Sequence, residues 1–182
     1  MRNPLQYWGS VLIWLFKKYN IRKGYINLDR ISLKGVDIVQ DIEKAPFPFE
    51  KNYFDEVYAS NILEHVDSFI QLMEEIHRIC KKNAIIKIMV PYFTSAGAFQ
   101  DPEHKRFFTL KTFDYFLPEN YNNFITKARF KIIKKKLKFT RKNWLINLPL
   151  EFVINYFQWV YERFFCFIIP MQEVYYELKV VK

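Results

Sequence analysis

The sequence predicts an α/β fold, a three-layer sandwich with a mostly parallel sheet and a helical insertion before the last strand. Three observations predict it. Short apolar runs alternate with helical spacing between Gly24 and Val90, an amphipathic stretch follows near residue 150, and the final residues alternate again. Because 51% of the 182 residues are hydrophobic, we expect one domain with a substantial core, residues 1–182.

The first half of the chain contains the strands of the expected sheet. Apolar runs that end at Asp, Pro or other turn residues predict five strands: Val11–Phe16, Gly24–Leu28, Val36–Val39, Phe54–Ala59 and Ala84–Val90. Pro46 and Pro48 predict an irregular loop at Ala45–Phe49, because proline lacks the backbone N–H that a sheet requires.

One clear helix lies between the last two of these strands. Its apolar residues recur at helical spacing, and they are Phe69, Met73, Ile76 and Cys80. Ser68, followed three residues later by Gln71, predicts a capping box at the helix N-terminus.

The second half predicts a short helix at Leu110–Phe116 and one or two basic edge strands at Arg129–Thr140. A longer amphipathic helix follows, whose apolar stripe is Leu150, Val153, Phe157, Val160 and Phe164 and whose polar side is Glu151, Asn155, Gln158 and Glu162. Its aromatic side is open to three interpretations: a lid over an acceptor pocket, a homodimer contact or a membrane-surface face. The last residues, from Val174 to Val180, alternate as a final strand.

Charge and cysteine content narrow the function classes. The net charge of +9 is concentrated in residues 129–142, which contain eight basic residues and no acidic one. Such a run fits nucleic acid or an anionic membrane surface, but edge strands also carry lysine to prevent edge pairing, and we favour that interpretation over both kinds of binding. Two cysteines, Cys80 and Cys166, form neither a disulfide framework nor a metal motif, which favours the cytoplasm.

Two apolar segments are not predicted to cross a membrane. Leu5–Phe16 is shorter than the roughly 20 residues that a spanning helix needs, and it lacks the features of a signal peptide. Trp144–Pro170 is longer, but polar residues and Pro149 interrupt it.

The stretch GYINLDRISLKGVDIVQDIEKAPFPFEKNYFDEVYASNILEHV, residues 24–66, closely resembles the class I S-adenosylmethionine (SAM) methyltransferases of the small-molecule, type 11-like kind. The shared pattern is a strand ending in Asp, an Asp-apolar pair before a PFPF-like loop, a strand entered through F-D, and a Ser-x-x-Leu-Glu-His turn. LMEEIHRICKKNAIIKIMVPY, DPEHKRFFT and YERFFCFIIP extend the resemblance over nearly the whole chain after residue 20. The resemblance implies SAM as cofactor and methyl transfer to a small-molecule or sugar-containing acceptor.

The resemblance also implies cofactor-binding residues. Asp29 is expected to accept both ribose hydroxyls, Asp41 to accept the adenine amino group, and Ile42 to stack nearby. Ser60 and Asn61 are expected to face the methionine portion. These positions agree with the rule that ligands of open α/β sheets bind at the carboxyl ends of the strands.

The sequence departs from the family at the glycine turn after the first strand. Phe16, Lys17 and Lys18 stand about where relatives have G-x-G, and their side chains would occupy space that glycine leaves to the cofactor. A cofactor-free binding or assembly module on the same fold is therefore the alternative to an enzyme.

Methyl transfer needs positioning more than acid–base chemistry, but a hydroxyl or ring-nitrogen acceptor benefits from a base. His104, in the loop after the fifth predicted strand, is the candidate base, with a structural hydrogen bond as the alternative. Lys105 and Arg106 are candidates for binding an anionic acceptor group. No metal site is predicted from His65, His77 and His104, because their spacing matches no ligand motif.

Overall fold

The structure is a computed structural model that describes residues 25–121, 124–139 and 144–182, with the backbone alone for residues 144–148. Six strands are described: β1 Leu28–Asp29, β2 Ile38–Val39, β3 Phe54–Ser60, β4 Cys80–Pro91, β5 Arg129–Lys138 and β6 Glu173–Val181. The helices are α1 Phe69–Ile79, α2 Ala96–Gln100, α3 Trp144–Tyr156 and α4 Gln158–Val160, with a π-helical turn at Tyr161–Phe165 and 3-10 turns at Leu63–His65 and Thr112–Phe116.

The strands form two sheets of the α/β type that the sequence predicts. β1 pairs with β2 in parallel, and the larger sheet has the order β3-β4-β6-β5. β3 and β4 are parallel, whereas β6 runs antiparallel to both of its neighbours, so this sheet is mixed. The predicted α/β class is thus confirmed, and the helical insertion precedes the last strand, β6.

One face of the larger sheet forms the core. Ile86, Ile88 and Val90 of β4 and Tyr176 and Leu178 of β6 are fully buried. Alternate residues of a strand point to the same face, so these side chains form one apolar surface. α1 packs beside this core through buried residues at helical spacing, among them Leu72, Met73, Ile76 and Ile79.

The N-terminus of α1 is capped differently from the prediction. Ser68 occupies the capping position, but its side chain makes no cap hydrogen bond, so the predicted capping box is wrong. Instead the carboxylate of Glu43 accepts from the backbone N–H of Asp67 at 2.6 Å and of Ser68 at 3.1 Å. A carboxylate from a distant loop therefore binds the N–H groups of the two residues that precede the helix, and its negative charge complements the helix dipole.

The β5 edge of the sheet is covered by α3 and α4. Asn155 both accepts from the Leu137 N–H and donates to the Leu137 carbonyl, and Gln158 donates to the Lys135 carbonyl at 2.9 Å. Glu151 accepts from the Phe139 N–H at 2.8 Å. The predicted edge strand is present, and side chains of α3 and α4 form hydrogen bonds with backbone N–H and carbonyl groups at its outer edge.

The amphipathic helix therefore turns its polar side towards the sheet. A surface helix ordinarily buries its apolar stripe, whereas here Phe152, Tyr156 and Trp159 are exposed. In the described part of the chain no helix is long and apolar enough to span a membrane.

The strands predicted at Gly24–Leu28 and Val36–Val39 appear as the shorter β1 and β2. The predicted strand Val11–Phe16 and the substituted glycine turn at Phe16, Lys17 and Lys18 lie outside the described residues.

Candidate functional site

Asp29 ends β1, and its side chain is fixed by the next turn. Its Oδ1 accepts from the Ile31 N–H at 2.9 Å, and its backbone carbonyl accepts from the Gln40 N–H at 2.9 Å. An aspartate commonly bonds the backbone two residues on, and this bond orients the carboxylate. Asp29, which is predicted to bind the ribose hydroxyls, thus has an oriented carboxylate at the carboxyl end of a parallel strand.

Asp41 and Ile42 follow β2 directly. The Oδ1 of Asp41 accepts from the Glu43 N–H at 3.1 Å, and its Oδ2 lies 3.5 Å from the Nζ of Lys44. Ile42 is half-buried and packs against the core. Asp41 and Ile42, the residues predicted to contact adenine, therefore lie in a turn, and the Asp41 carboxylate already binds neighbouring residues of that turn.

Ser60 and Asn61 form a tight turn at the end of β3. Asn61 has a φ of 55°, a left-handed conformation that asparagine tolerates better than most residues. Its N–H donates to the Met89 carbonyl at 2.7 Å, and its Oδ1 accepts from the Ser60 hydroxyl at 3.2 Å. This turn directs the chain from the sheet edge into the 3-10 turn that carries Glu64.

Glu64 is the most unusual side chain of the region. It is only 1% exposed, and within the described part of the chain neither carboxylate oxygen has a well-aligned hydrogen bond. Burial raises the pKa of Glu64 to about 7, opposed in part by its own backbone and by the Asn61 side chain and reinforced by the charges of Glu173 and Asp101. A buried carboxyl with a pKa near neutrality is characteristic of functional sites.

His104 faces Glu64 across the loop that follows β4. The Nδ1 of His104 lies 2.9 Å from the Ala98 carbonyl, and a carbonyl can only accept, so Nδ1 carries a proton. Nε2 then lies 4.0 Å from the Oε1 of Glu64. Ser95 caps α2 by accepting from the Ala98 N–H at 3.1 Å, which fixes the residue that orients the imidazole.

His65 completes the cluster. Its ring lies edge-on to that of His104, with the centroids 4.6 Å apart. Burial lowers the pKa of His65, and the neighbouring His104 lowers it further. Both effects favour the neutral imidazole.

The ligand atoms of Glu64, His65 and His104 lie within 4.8 Å of one another. Two imidazoles and a carboxylate are a donor set that binds transition metals. Ligand atoms about 2.1 Å from a shared ion, however, lie roughly 3.0 to 3.4 Å apart. The 4.0 Å between Glu64 and His104 exceeds that separation, so the geometry fits an acid–base group better than a formed metal centre.

Lys105 and Arg106 bind the protein itself in this structure. The Nζ of Lys105 bonds the Asp67 carboxylate, and Arg106 donates to the backbone carbonyls of Val66, at 2.7 Å, and Asp67. The backbone N–H groups of both residues donate to the Glu64 carbonyl, at 2.7 and 3.1 Å. These bonds attach the His104 loop to the turn that contains Glu64.

All eight predicted site residues lie along one continuous path. The path leads from Asp29 through Gln40 to Asp41 and Ile42, and then through Glu43 to Asp67. From Asp67 it continues through Lys105 and Arg106, which neighbour His104 in the chain and whose backbone N–H groups bind the Glu64 carbonyl. Glu64 lies three residues after Asn61, whose side chain accepts from the Ser60 hydroxyl. The structure therefore connects the residues predicted to bind cofactor with the candidate base.

Sequence reasoning missed Glu64 as a functional candidate. The only available signal was a glutamate enclosed by apolar residues in the run Ile62–Val66. Its burial depends on the His104 loop, which comes some 40 residues later and closes over it.

Comparison with known proteins bears on the fold and the general class of chemistry. The family profile described as "Methyltransferase domain" matches residues 15–88, which include β1 to β3, α1 and most of β4. No curated protein sequence matches the chain.

Solved structures share the fold at low sequence identity. A SAM-dependent methyltransferase from Archaeoglobus fulgidus aligns with a TM-score of 0.56 and 16% identity, over 95% of this chain and 87% of its own. A putative methyltransferase of Haloferax volcanii, solved in complex with the Trm112 methyltransferase activator, aligns with a TM-score of 0.55 and 12% identity, over 99% and 85%. The cyclase SpnF aligns with a TM-score of 0.58 and 12% identity, over 95% and 75%.

The fold is that of a Rossmann-like α/β protein, and the candidate cofactor residues follow the carboxyl ends of its strands. Residues 15–88 match the methyltransferase-domain family profile, and solved SAM-dependent methyltransferases share the fold of the chain. Methyl transfer is the general chemistry that the family match supports, and no comparison identifies an acceptor.

Proposed function

We propose that this chain binds SAM and methylates a small-molecule or sugar-containing acceptor. One observation carries the proposal: hydrogen bonds and adjacent residues of the chain together link Asp29 and Asp41 to the turn that contains Glu64 and the loop that contains His104. A methyltransferase needs its cofactor residues and its acceptor residues fixed relative to each other, because displacement at the methyl group is in line.

The described residues fit SAM in their chemistry. Asp29 has one carboxylate oxygen bonded to the Ile31 N–H, which orients the other for a ribose hydroxyl. Ile42 offers an apolar surface for the adenine ring beside Asp41, and Ser60 and Asn61 offer polar groups for the methionine portion. When bound, SAM supplies a methyl group on a sulfonium, which is a good leaving group.

His104 is the proposed general base. Its Nδ1 donates to the Ala98 carbonyl, so in the neutral ring the lone pair is on Nε2, the nitrogen that faces Glu64. A hydroxyl or ring nitrogen of the acceptor would transfer its proton to Nε2 as it gains the methyl group. The ionised carboxylate of Glu64 would then stabilise the imidazolium.

Lys105 and Arg106 are proposed to position the His104 loop. Their head groups already bind Asp67 and the Val66 and Asp67 carbonyls, so they act on the acceptor through the placement of His104.

A cofactor-free binding or assembly module is the second candidate. The observation that favours it is Phe16, Lys17 and Lys18 where relatives have glycine. One solved structure with this fold is named as a cyclase, which agrees with the rule that function depends on the site and not on the fold.

A thermal-shift titration with SAM and with S-adenosylhomocysteine separates the two candidates. A ligand present at about 100 times its Kd stabilises the native state by about 2.7 kcal/mol, which corresponds to a rise in Tm of roughly 5 to 10 °C for a chain of this size. Asp29→Ala should abolish most of the shift. Asp55→Ala is the matched control, because Asp55 of β3 forms a half-exposed ion pair with Lys81 of β4. No shift with either ligand at millimolar concentration would favour the cofactor-free module.

A further inference from the structure

A large apolar surface lies on the outer side of α3 and the helical turns after it. We define the aromatic face as Phe152, Tyr156, Trp159, Phe164, Phe167 and Ile168, whose exposed fractions are 72, 74, 65, 60, 80 and 73%. Phe152 stacks on Tyr156, and Trp159 packs edge-on to Phe164. Phe152, Tyr156 and Trp159 are four and three residues apart, which places them on one side of the helical segment. Monomeric soluble proteins rarely expose contiguous apolar surfaces of this kind, and those that do use them for binding.

The outward orientation of this face is fixed by polar contacts on the opposite side. Asn155 and Gln158 bind the β5 backbone. Glu162 accepts from the Tyr92 hydroxyl at 3.0 Å and from the Leu110 N–H at 2.8 Å. Rotating the helix to bury its rings would break all of these bonds and leave buried donors and acceptors unsatisfied.

The strand that α3 and α4 bind, β5, is positively charged. It contains the exposed residues Lys131, Lys134 and Lys136, of which Lys134 lies 3.6 Å from the Glu177 carboxylate of β6. Between Lys127 and Leu150 the sequence contains no acidic residue. The two acidic side chains of the helical segment, Glu151 and Glu162, bind backbone groups on its inner side.

Three kinds of partner can be compared with this combination of apolar rings and a lysine-rich strand: nucleic acid, a second copy of the chain and a lipid bilayer. Nucleic acid binds basic surfaces through phosphates, but it offers no apolar phase to cover Phe152, Phe167 and Ile168 together. A second copy of this chain would bring another basic strand and a net charge of +9 towards the same surface. An anionic bilayer satisfies both features, because rings enter the headgroup region while lysines approach the lipid charge.

We propose that the aromatic face and the adjoining lysines of β5 bind the surface of an anionic lipid bilayer. This mode of binding is peripheral, with the helix lying in the interface. It does not depend on whether the chain binds SAM.

The proposed membrane surface adjoins the candidate site. Phe167 packs edge-on to Phe93 with centroids 5.7 Å apart, and the Phe93 N–H donates to the Phe108 carbonyl at 3.0 Å. Both Phe93 and Phe108 belong to the loop that carries His104. A bound bilayer would therefore lie next to that loop.

Sedimentation of the full chain with vesicles tests this proposal. We expect binding to phosphatidylcholine vesicles that contain phosphatidylglycerol, loss of that binding at high salt, and little binding to phosphatidylcholine alone. The double variant Trp159→Ser, Phe164→Ser should lower the partition coefficient at least about tenfold. Lys136→Glu should lower it for anionic vesicles. Tyr121→Ser is the matched control, since Tyr121 is 84% exposed and lies outside the face.

Three results would overturn the proposal. One is the absence of vesicle binding by the wild-type chain, as expected if another part of the chain covers the face. Another is a concentration-dependent dimer in light scattering that the double variant abolishes, which would make the face a contact between copies. The third is binding to single-stranded DNA that exceeds binding to anionic vesicles and is unaffected by the double variant.

Discussion

Asn155 of α3 makes two hydrogen bonds to the backbone of Leu137 in β5. The Leu137 N–H donates to Oδ1 at 2.7 Å, and Nδ2 donates to the Leu137 carbonyl at 2.8 Å. One amide side chain thus replaces the pairing that a further strand would supply. This contact links three properties: the closed sheet edge, the inward polar side of the helix and the outward aromatic face.

We predict that Asn155→Leu destabilises the protein by about 2 kcal/mol, because two hydrogen bonds of about 1 kcal/mol each are lost at a partly buried edge. Urea denaturation followed by circular dichroism measures the change. Tyr156→Ala is the control, since Tyr156 is the adjacent exposed residue, and it should change stability by no more than about 0.5 kcal/mol. The reverse order of the two effects would mean that the helix buries its apolar side.

We predict that ionisation of Glu64 makes the free energy of unfolding depend on pH. Burial raises the pKa of Glu64 to about 7 in the folded protein from an ordinary value of 4.5. Between these values the unfolded chain has released its proton and the folded chain retains it, so the free energy of unfolding falls as pH rises and levels off above pH 7. The loss amounts to roughly 3 kcal/mol.

Glu64→Gln should remove this loss, because the amide cannot ionise. Its free energy of unfolding should therefore exceed that of the wild type at pH 8, while the two should differ much less at pH 4.5. Urea titrations at both pH values check the prediction. Equal slopes against pH for the two proteins would show that Glu64 is not buried as described.

Arg106 and Lys105 are adjacent but should differ in their effect on stability. Arg106 donates to two backbone carbonyls and lies over the Phe69 ring, 5.7 Å from its centroid. Arg106→Ala should therefore cost about 2 kcal/mol. Lys105→Ala removes a half-exposed ion pair and should cost no more than about 0.5 kcal/mol. Equal effects in chemical denaturation would contradict the proposed attachment of the loop by Arg106.

Both thiols should be inert in the native protein. Cys80 and Cys166 are buried, and burial raises the pKa of Cys80 to about 12 and that of Cys166 above its usual range. The thiolate is the reactive form, so Ellman's reagent should react slowly at pH 8 until denaturant is added. Rapid reaction of either thiol in native buffer would be inconsistent with this core.

The sequence predicted those elements whose signal is local. Phe54–Ser60, Phe69–Ile79 and Glu173–Val181 were recognisable because each buries one face at the spacing of its secondary structure. The predicted site residues follow strand ends, and strand ends are visible as the points where apolar runs stop.

The remaining features depend on contacts between distant segments. The cap of α1 comes from Glu43, about 25 residues earlier, so no local motif could reveal it. An amphipathic pattern shows that a helix has two sides but not which one docks. The polar side of the helical segment docks because the backbone groups at the β5 edge need hydrogen-bond partners, which Asn155 and Gln158 supply.

The central claim is that SAM binds at the carboxyl edge formed by Asp29, Asp41, Ile42, Ser60 and Asn61. Its most direct test is a titration of the isotope-labelled chain with S-adenosylhomocysteine, monitored through backbone amide resonances. We predict saturable shifts at these five residues, while the amides of β5 and α3 remain unchanged. Spectra that stay constant at millimolar ligand, or changes confined to β5 and α3, would contradict the claim.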